Sequence, residues 1–328
     1  MNVSLTRAGF FTTVQDLGRP GYRQSGVSHG GALDGYALRI ANLLVGNEAS
    51  SAGIEATLGH LHLRFSDERV MAWCGGAFEV QISGTRISAG RAAVIHAGEE
   101  LHAKAPGHGA RAWLAISGGI DVPILLGSHS TDLRSEFGGF NGRALRDGDV
   151  LALGQLAARS HAIAKKLAAA RLSSWSAPNE WANTAGVHPF LRIVRGADWA
   201  RFAEASRDAL MHEVFTVAAA SDRMGVRLEG PRLTRVTQED RISQAVVPGT
   251  LQVPPNGQPI LLLEDCQTIG GYPKIAHVIT VDLALAAQLR PGDSVRFAEV
   301  SLAEAHRELI EREREVERFR IGLTLQTS

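Results

Sequence analysis

The sequence predicts a mainly β protein built from two strand-rich blocks. Glycine is abundant at 35 of 328 residues, whereas aromatic residues make up only 6% of the chain. This composition suits many short strands joined by tight turns better than a bundle of helices. The motif LRDGDVL at residues 145–151 is echoed by LRPGDSV at residues 289–295, so each block ends with a similar Gly-Asp turn that enters a strand. We therefore expect two barrels of similar construction.

Short or alternating apolar runs, each bounded by Gly, Pro, Asp or Ser, predict the strands of the first block. These runs lie at residues 61–65, 78–82, 92–95, 112–116 and 150–153. Their spacing is typical of a barrel or a sandwich. One helix interrupts them: Asp34 is a suitable N-cap, and apolar residues recur at helical spacing until Gly46 or Asn47. We expect the apolar face of this helix to pack on the sheet.

The rest of the chain divides into a connection, a second strand-rich block and a terminal helix. Residues 155–187 are first Ala-rich and then polar, which indicates a linker. Strand-like runs resume after it. The tail alternates apolar residues with neighbouring Glu and Arg, a pattern that predicts an amphipathic helix. The predicted organisation is a barrel at residues 1–154, a linker at 155–187, a barrel at 188–300 and a C-terminal helix and tail at 301–328.

Charge and composition argue against several classes of protein. Lys plus Arg and Asp plus Glu are equal at 34 each, so there is no electrostatic reason to expect nucleic acid as a partner. The longest apolar runs are too short to span a bilayer, and no signal-peptide pattern is present. Only Cys74 and Cys266 occur, which argues against a disulfide framework and a thiolate zinc site. We expect a soluble, cytoplasmic protein that binds neither nucleic acid nor membrane.

Polar residues gather in Gly-rich stretches that could form a small-molecule site. In the stretch of residues 12–50, glycine-rich backbone lies beside arginine, amide and carboxylate groups, which can present donors to a carboxylate or phosphate. The alternative is a set of turns and a helix cap. The substrate-binding residues predicted here are Gln15, Asp16, Arg19, Asp34 and Asn42.

A second stretch, GSHSTDLRSEFGGFNGRAL, places Arg134 and Arg143 among glycines. A guanidinium flanked by flexible backbone is suited to bidentate binding of a carboxylate. The alternative is a long hairpin whose arginines are only exposed. The length of the loop favours a function, and we predict that both arginines bind substrate.

A third stretch, LLLEDCQTIGGYPKIA, crowds acid, thiol, amide, hydroxyl, phenol and lysine side chains after an apolar strand. Lys274 follows a Gly-Gly-Tyr-Pro bend and precedes the next apolar strand, so it could point into a cleft instead of lying on the surface. Cys266 is expected to be a buried structural cysteine. The substrate-binding residues predicted here are Gln267, Thr268, Gly270, Gly271 and Tyr272.

Several long motifs, in order along nearly the whole chain, resemble one family. They are TTVQDLGRPGY, GALDGYALRIANLLVGN, GSHSTDLRSEFGGFNGRAL, SDRMGVRL, GTLQVPPNGQPI and EDCQTIGGYPKIAHVITVDLALAAQLRPGD. The chain is identified as a member of the KipA-type family. This family includes allophanate hydrolase subunit 2, the C subunit of bacterial ATP-dependent 5-oxoprolinase, and the related half of the urea carboxylase carboxyltransferase domain. The resemblance implies two cyclophilin-like β-barrel subdomains with a few short helices, and a substrate cleft between them.

The resemblance leaves three functions open. The leading hypothesis is the C subunit of an ATP-dependent 5-oxoprolinase, which helps to convert 5-oxo-L-proline to L-glutamate together with an A subunit and a paralogous, KipI-type B subunit. The second is a biotin-dependent carboxyltransferase subunit that acts on urea or a related amide. The third is a non-catalytic protein that binds a KipI-type kinase inhibitor. Fold alone does not decide among them.

Opening a lactam requires an electrophilic amide carbonyl and groups that stabilise developing negative charge. We predict that Arg223 and Lys274 supply positive charge and that Asp265 acts as a base or an orienting carboxylate. No GxxxxGK[ST] motif occurs, so ATP, which the complex would use, binds without a P-loop or on a partner. No Met-Lys pair of a biotin carrier occurs either, so any biotin would arrive on another protein.

A metal site is the main competing interpretation. His60 and His62 alternate on a predicted strand and would share one face, as in metal-binding cupin barrels. The glutamate expected a few residues later is absent, and no partner histidine motif follows. No GxSxG elbow supports a serine nucleophile. We therefore predict no metal ion.

Overall fold

The computed structural model describes residues 1–105, 107–184, 190–236 and 242–327. The chain separates into two units. The first comprises Met1–Arg19, Gly30–Ala185 and Glu315–Ser328, and the second comprises Pro20–His29 and Gly186–Arg314. Each unit is therefore assembled from segments that are not contiguous in the sequence.

The strands of the first unit form two antiparallel sheets. In chain order the strands are β1 Asn2–Ala8, β2 Phe11–Gln15, β3 Gly53–Thr57, β4 His60–Phe65, β5 Arg69–Gly75, β6 Glu79–Ile82, β7 Thr85–Ile87, β8 Ala92–Ile95, β9 Glu100–Lys104, β10 Arg111–Ile116 and β11 Val150–Ala152. One sheet has the order β11-β1-β4-β9-β6-β7 and the other the order β2-β3-β10-β5-β8. Their apolar side chains share one buried core, which includes Leu5, Ile54, Leu63, Trp73 and Leu114.

The helix α1, Gly35–Leu44, covers the second of these sheets. It packs on β5 and β10, and for this reason both strands are buried along their whole length. Asp34 caps the helix, because its Oδ1 accepts a hydrogen bond from the Ala37 N–H at 2.9 Å. Gly46, at φ +80°, follows the last turn in the left-handed conformation. The predicted helix, its cap and its packing on the sheet are confirmed.

The second unit is a closed barrel with the strand order β12-β19-β16-β17-β14-β13-β20. The antiparallel order is broken where β12 pairs in parallel with β20. The strands β15 and β18 form a separate two-stranded sheet. The bounds are β12 Phe190–Arg195, β13 Phe215–Val217, β14 Gly225–Glu229, β15 Gln244–Ala245, β16 Thr250–Gln252, β17 Ile260–Leu262, β18 Ile269–Gly270, β19 Lys274–Val278 and β20 Ser294–Glu299.

The other helices are short, except the last. They are α2 Ala158–Leu167, α3 Asn179–Ala182, α4 Glu204–His212, α5 Leu283–Ala286 and α6 Leu302–Thr327. In α6 only Val316, Leu323 and Thr327 are buried, so most of its charged surface faces solvent. Among the described residues no helix combines the length and the apolar content needed to cross a membrane. The mainly β class with two barrel-like subdomains and a C-terminal helix is confirmed.

Candidate functional sites in the two units

Asp16, which follows β2, is the acceptor around which the Gly-rich loops of the first unit are organised. Its Oδ1 accepts hydrogen bonds from the hydroxyls of Ser128 and Ser130, at 2.6 and 2.5 Å, and from the Gly18 N–H at 2.8 Å. Its Oδ2 accepts a hydrogen bond from the His129 N–H at 2.6 Å. The carboxylate is buried and both of its oxygens are occupied. The geometry therefore makes Asp16 an anchor of this loop.

Arg19 is fully buried and holds the same loop from another side. Its Nη2 donates a hydrogen bond to the Ser130 carbonyl at 2.5 Å, and its guanidinium lies 4.7 Å from the centroid of the Phe137 ring. Gly138 allows this approach: its φ is +69°, and a Cβ there would lie 3.0 Å from Arg19 Nη2. Both the backbone conformation and the available space therefore require glycine at this position.

Gln15, Asp34 and Asn42 are also buried and hydrogen-bond within the first unit. Gln15 Nε2 donates to the Thr131 carbonyl at 3.3 Å, and Asn42 Nδ2 donates to the Ser51 carbonyl at 2.7 Å. Asp34 is the cap of α1. The Oε1 atom of Gln15 is buried and has no hydrogen-bond partner among the described residues. It is thus an open acceptor in this cluster, while the substrate contacts predicted for the three residues remain predictions.

The two arginines predicted in the long loop of the first unit have different surroundings. Arg143 forms a bidentate ion pair with Asp149, with N–O distances of 2.7 and 2.8 Å. This hydrogen-bonded pairing raises the pKa of Arg143 and lowers the pKa of Asp149. Arg134 is exposed. A pocket of about 430 Å³ includes Arg143 in its lining, together with Leu133, Glu136, Asn141, Gly142 and Ala144.

In the second unit, Arg223 and Asp265, both predicted to be catalytic, contact each other directly. Arg223 Nε donates to Asp265 Oδ2 at 2.8 Å, and Nη2 donates to Oδ1 at 3.1 Å. Arg223 is buried, and the Asp265 side chain is only 12% exposed. The bidentate ion pair between Arg223 and Asp265 therefore fixes the start of the segment 265–273 against the turn that precedes β14.

Gln252, on β16, supports the same segment and was not among the predicted residues. Its Oε1 accepts a hydrogen bond from Gln267 Nε2 at 3.4 Å, and its Nε2 donates to the Tyr272 carbonyl at 3.3 Å. A Cβ at Gly270 would lie 2.7 Å from Gln252 Nε2, so a larger residue there would require the end of the Gln252 side chain to move. The sequence signal was an amide in the stretch GTLQVPPNGQPI, one of the motifs that carry the family resemblance.

The remaining predicted residues of this segment lie at its edge. The Thr268 carbonyl accepts a hydrogen bond from the Val246 N–H at 3.1 Å. Gly271 and the Tyr272 ring are exposed. The structure thus gathers the predicted residues of this segment at one end of the barrel strands β16 and β19, with some buried and others open to solvent.

Lys274 begins β19 and is only 9% exposed, so the alternative of a surface lysine is wrong. Its Nζ donates a hydrogen bond to the Ala245 carbonyl at 3.1 Å, and its backbone N–H donates to Asp198 Oδ2 at 2.8 Å. Within the described ranges, no carboxylate forms an ion pair with this ammonium group. A buried cation without a counter-ion is costly. The position is therefore suited to binding an anion.

His277 lies on the same strand, and the sequence did not single it out. Its Nδ1 is 3.3 Å from Thr250 Oγ1, and the two residues are directly paired between β19 and β16. Burial, and then the nearby positive charge of Lys274, lower the pKa of His277. A neutral imidazole next to Lys274 offers either a donor or an acceptor to a bound molecule.

Both cysteines are buried. Burial raises the pKa of Cys266 to about 11, and burial together with the charge of Asp34 raises the pKa of Cys74. Arg23, another residue that the sequence did not indicate, lies near Cys266 and donates to the carbonyls of Val246 and Gln267. The expectation that Cys266 is buried is confirmed.

The histidines considered for a metal site form a stacked pair. His62 on β4 lies opposite His102 on β9, with ring centroids 4.1 Å apart and ring planes 15° apart. Burial and the neighbouring His102 lower the pKa of His62. In the part of the chain that the structure describes, no three His, Cys, Asp or Glu side chains are placed to hold a metal ion.

The chain is thus a protein of two β units, each of which carries buried polar residues beside its loops. The family described as carboxyltransferase domain, subdomain A and B, matches residues 25–299. The chain belongs to this family, and the resemblance inferred from the motifs is confirmed.

The similar curated proteins fall into two groups. The chain is 41% identical to the 5-oxoprolinase C subunit of Escherichia coli (strain K12), covering 92% of this chain and 93% of that protein. It is 36% identical to the 5-oxoprolinase C subunit of Haemophilus influenzae, covering 89% of each. It is 32% identical to the urea amidolyase of Lachancea kluyveri, covering 90% of this chain and 17% of that protein.

Solved structures extend the comparison. The crystal structure of TTHA0988 matches with a TM-score of 0.77 and 32% identity, covering 90% of this chain and 55% of that chain. The Kluyveromyces lactis urea carboxylase matches with a TM-score of 0.87 and 28% identity, covering 97% of this chain and 29% of that chain. The chain therefore spans about half of the TTHA0988 chain and less than a third of the urea carboxylase chain.

The anchoring role of Asp16 predicts a large loss of stability on truncation. Asp16→Ala removes the acceptor of several buried donors, so we expect the free energy of unfolding to fall by about 3 to 5 kcal/mol. The free energy of unfolding is measured by urea denaturation, with circular dichroism as the signal. Asp121→Ala, at an exposed position of the same unit, is the control and should change stability by no more than about 0.5 kcal/mol. Equal effects of the two substitutions would contradict the anchoring role.

The lowered pKa of His277 predicts a pH dependence of stability. Because the unfolded state binds the proton more readily than the folded state, stability falls as pH drops below the unfolded value of 6.5 toward the lowered folded pKa. His277→Gln should therefore lose less stability than the wild type between about pH 7.5 and about pH 5.5. Urea denaturation at both pH values tests this. An unchanged pH dependence in the variant would show that His277 is not held neutral.

Proposed function

We propose that this chain is the C subunit of a 5-oxoprolinase, in which it helps to convert 5-oxo-L-proline and water to L-glutamate. The similarity to two relatives of that name covers nearly the whole chain and nearly the whole of both relatives. In this proposal the chain acts within a complex that contains a KipI-type B subunit and an A subunit. The complex uses ATP to activate the lactam carbonyl.

The observation that connects this function to particular residues is the buried ammonium group of Lys274. The substrate carries a carboxylate, and opening its lactam develops negative charge on the carbonyl oxygen. A cation that lacks a carboxylate partner among the described residues is available to either anion, and low local polarity strengthens the attraction. We assign Lys274 to anion binding, with the neutral His277 as a hydrogen-bonding neighbour.

The other predicted residues take positioning roles in this proposal. Both oxygens of Asp265 are occupied by Arg223, so this pair orients the segment 265–273 rather than supplying a base. Gln252 holds Gln267 and the Tyr272 backbone in place. In the first unit, Asp16 and Arg19 hold the Gly-rich loop, and Gln15 presents its open Oε1 acceptor.

ATP binding is assigned to the other members of the complex. The chain has no P-loop sequence, and three of the four arginines predicted to bind, at residues 19, 143 and 223, are already engaged by carbonyl or carboxylate groups. Transfer of the γ-phosphoryl group from ATP to the amide oxygen, with ADP as the leaving group, would make the amide carbon electrophilic. Attack by water on that carbon would then release phosphate and open the ring. The residues of this chain would then bind the substrate anion and orient it.

A second candidate is transfer of a carboxyl group from biotin to an amide nitrogen. The specific observation in its favour is the higher TM-score with the K. lactis urea carboxylase than with TTHA0988. Lys274 would then bind the carboxylate carried by a biotin that is attached to another protein. The two candidates differ in the molecule that is consumed and not in the residue that binds the anion.

Assay of the assembled complex separates these candidates. The chain is purified with the A and B subunits from the same genome, and glutamate release from 5-oxoproline is measured with and without ATP. ATP-dependent release supports the proposal. No release from the complete set would refute it, and carboxylation of urea by a biotinylated partner would establish the second candidate.

Lys274→Met should separate activity from stability. Loss of the anion-binding cation should lower turnover by about 100-fold, whereas removing a buried charge that no carboxylate neutralises among the described residues should leave the unfolding free energy unchanged or raised. The same glutamate assay and urea denaturation measure these effects. Lys104→Met, at an exposed lysine of β9, is the matched control and should leave turnover unchanged. Full activity of Lys274→Met would remove Lys274 from the site.

A further inference from the structure

The segment 122–129 of the first unit forms a tight hairpin that presents apolar side chains to solvent. Ile124, Leu125 and Leu126 are consecutive, and they are 63%, 42% and 41% exposed. Isolated exposed leucines are common on protein surfaces, whereas a run of three apolar residues at one tip is a feature of interaction surfaces. We call these three residues the apolar tip.

The backbone of the apolar tip is unfavourable for its own sequence. Leu125 and Ser128 exchange two backbone hydrogen bonds, at 2.9 and 3.2 Å, which leaves a two-residue turn at Leu126 and Gly127. Both turn residues are left-handed, with φ of +52° and +76°. Such turns favour Asn or Gly, and leucine there costs about 1 kcal/mol. The exposed Leu126 side chain does not recover this cost by burial in the core of the described chain, which points to a role outside it.

The base of the hairpin is rigid. His129 donates from Nδ1 to the Val122 carbonyl at 2.7 Å, which joins the two ends of the hairpin below the tip. Asp16 binds the Ser128 hydroxyl and the His129 N–H, and so ties the base to the core of the unit. A rigid base reduces the entropy that is lost when the tip becomes buried against another surface.

The comparisons indicate what such a surface would contact. The two relatives that match over about nine tenths of their length are named as subunits, so each belongs to an assembly. The match to TTHA0988 leaves nearly half of that chain uncovered, so a relative of this chain is joined to a further segment in one polypeptide. When two segments are fused in one polypeptide in one organism, their counterparts in another organism can be separate chains that bind each other.

We propose that the apolar tip docks into an apolar groove on a separate protein that corresponds to the part of the TTHA0988 chain outside the match, here called the docking partner. This inference rests on the proposed function only in that the chain works as a subunit. The three side chains supply the buried contact, and the hairpin base fixes their position. The tip contributes to association and not to chemistry.

Leu126→Asn tests the inference without endangering the fold. Asparagine favours the left-handed conformation, so the variant should be at least as stable as the wild type while it removes an apolar contact. The full chain is titrated with the docking partner from the same genome, and affinity is measured by calorimetry. We expect the variant to bind at least 10-fold more weakly, as is typical when a central apolar contact is lost. Unchanged affinity with intact folding would overturn the proposal.

Phe10→Asn is the matched control, because Phe10 is 75% exposed in the same unit and lies away from residues 122–129 in the sequence. Its affinity for the docking partner should remain that of the wild type, and an equal loss in both variants would overturn the proposal. So would a homodimer that Leu126→Asn dissolves, detected by analytical ultracentrifugation, because the tip would then bind a second copy of this chain.

Activity distinguishes this inference from the proposed function. At saturating concentrations of the docking partner, Leu126→Asn should regain the turnover of the wild-type complex, because only association is weakened. If the complex forms and the variant weakens it, but no glutamate is released, the docking inference stands and the proposed function fails. If glutamate is released and the variant binds normally, the docking inference fails alone.

Discussion

The first unit depends on the buried carboxylate of Asp16. A buried charge is tolerated only when donors surround it, and three of the four donors described above come from residues more than a hundred positions later in the chain. Satisfying Asp16 therefore fixes where the loop that begins at Ser128 must lie. Arg19 then fits between this loop and the Phe137 ring, and Gly138 leaves room for it. The polar residues that mark this part of the sequence thus hold the loop in one conformation.

In the second unit, a buried ion pair contrasts with a buried cation that no carboxylate pairs with among the described residues. Arg223 neutralises Asp265 with two hydrogen bonds, so this pair contributes order and little net charge. Among the described residues, the ammonium group of Lys274 donates only to the Ala245 carbonyl. Proteins retain such unfavourable groups mainly where function requires them. Arg223 and Asp265 neutralise each other and are therefore suited to position the segment 265–273. Lys274 is not neutralised by a described carboxylate and is therefore suited to bind an anion.

Features set by neighbouring residues could be predicted from the sequence. The cap at Asp34, the apolar face of α1 and the charged terminal helix each follow from local spacing, and the Gly-rich composition indicated the β class. Features set by strand register could not be predicted. His277 meets Thr250 only because β19 pairs with β16 in one register, and a bulge between Leu251 and Gln252 brings Lys274 opposite Gln252. The partner of Arg143 was only six residues away, yet nothing in the motif distinguished a structural ion pair from a free guanidinium.

The burial of both cysteines has a practical consequence. At neutral pH their thiols stay protonated and inaccessible, so alkylating reagents would find no native target in the folded chain. A single cysteine introduced on the surface could then be labelled selectively without removing the native ones. Spectroscopic labels could report on the hairpin of residues 122–129 or on the segment 265–273 within the otherwise natural sequence.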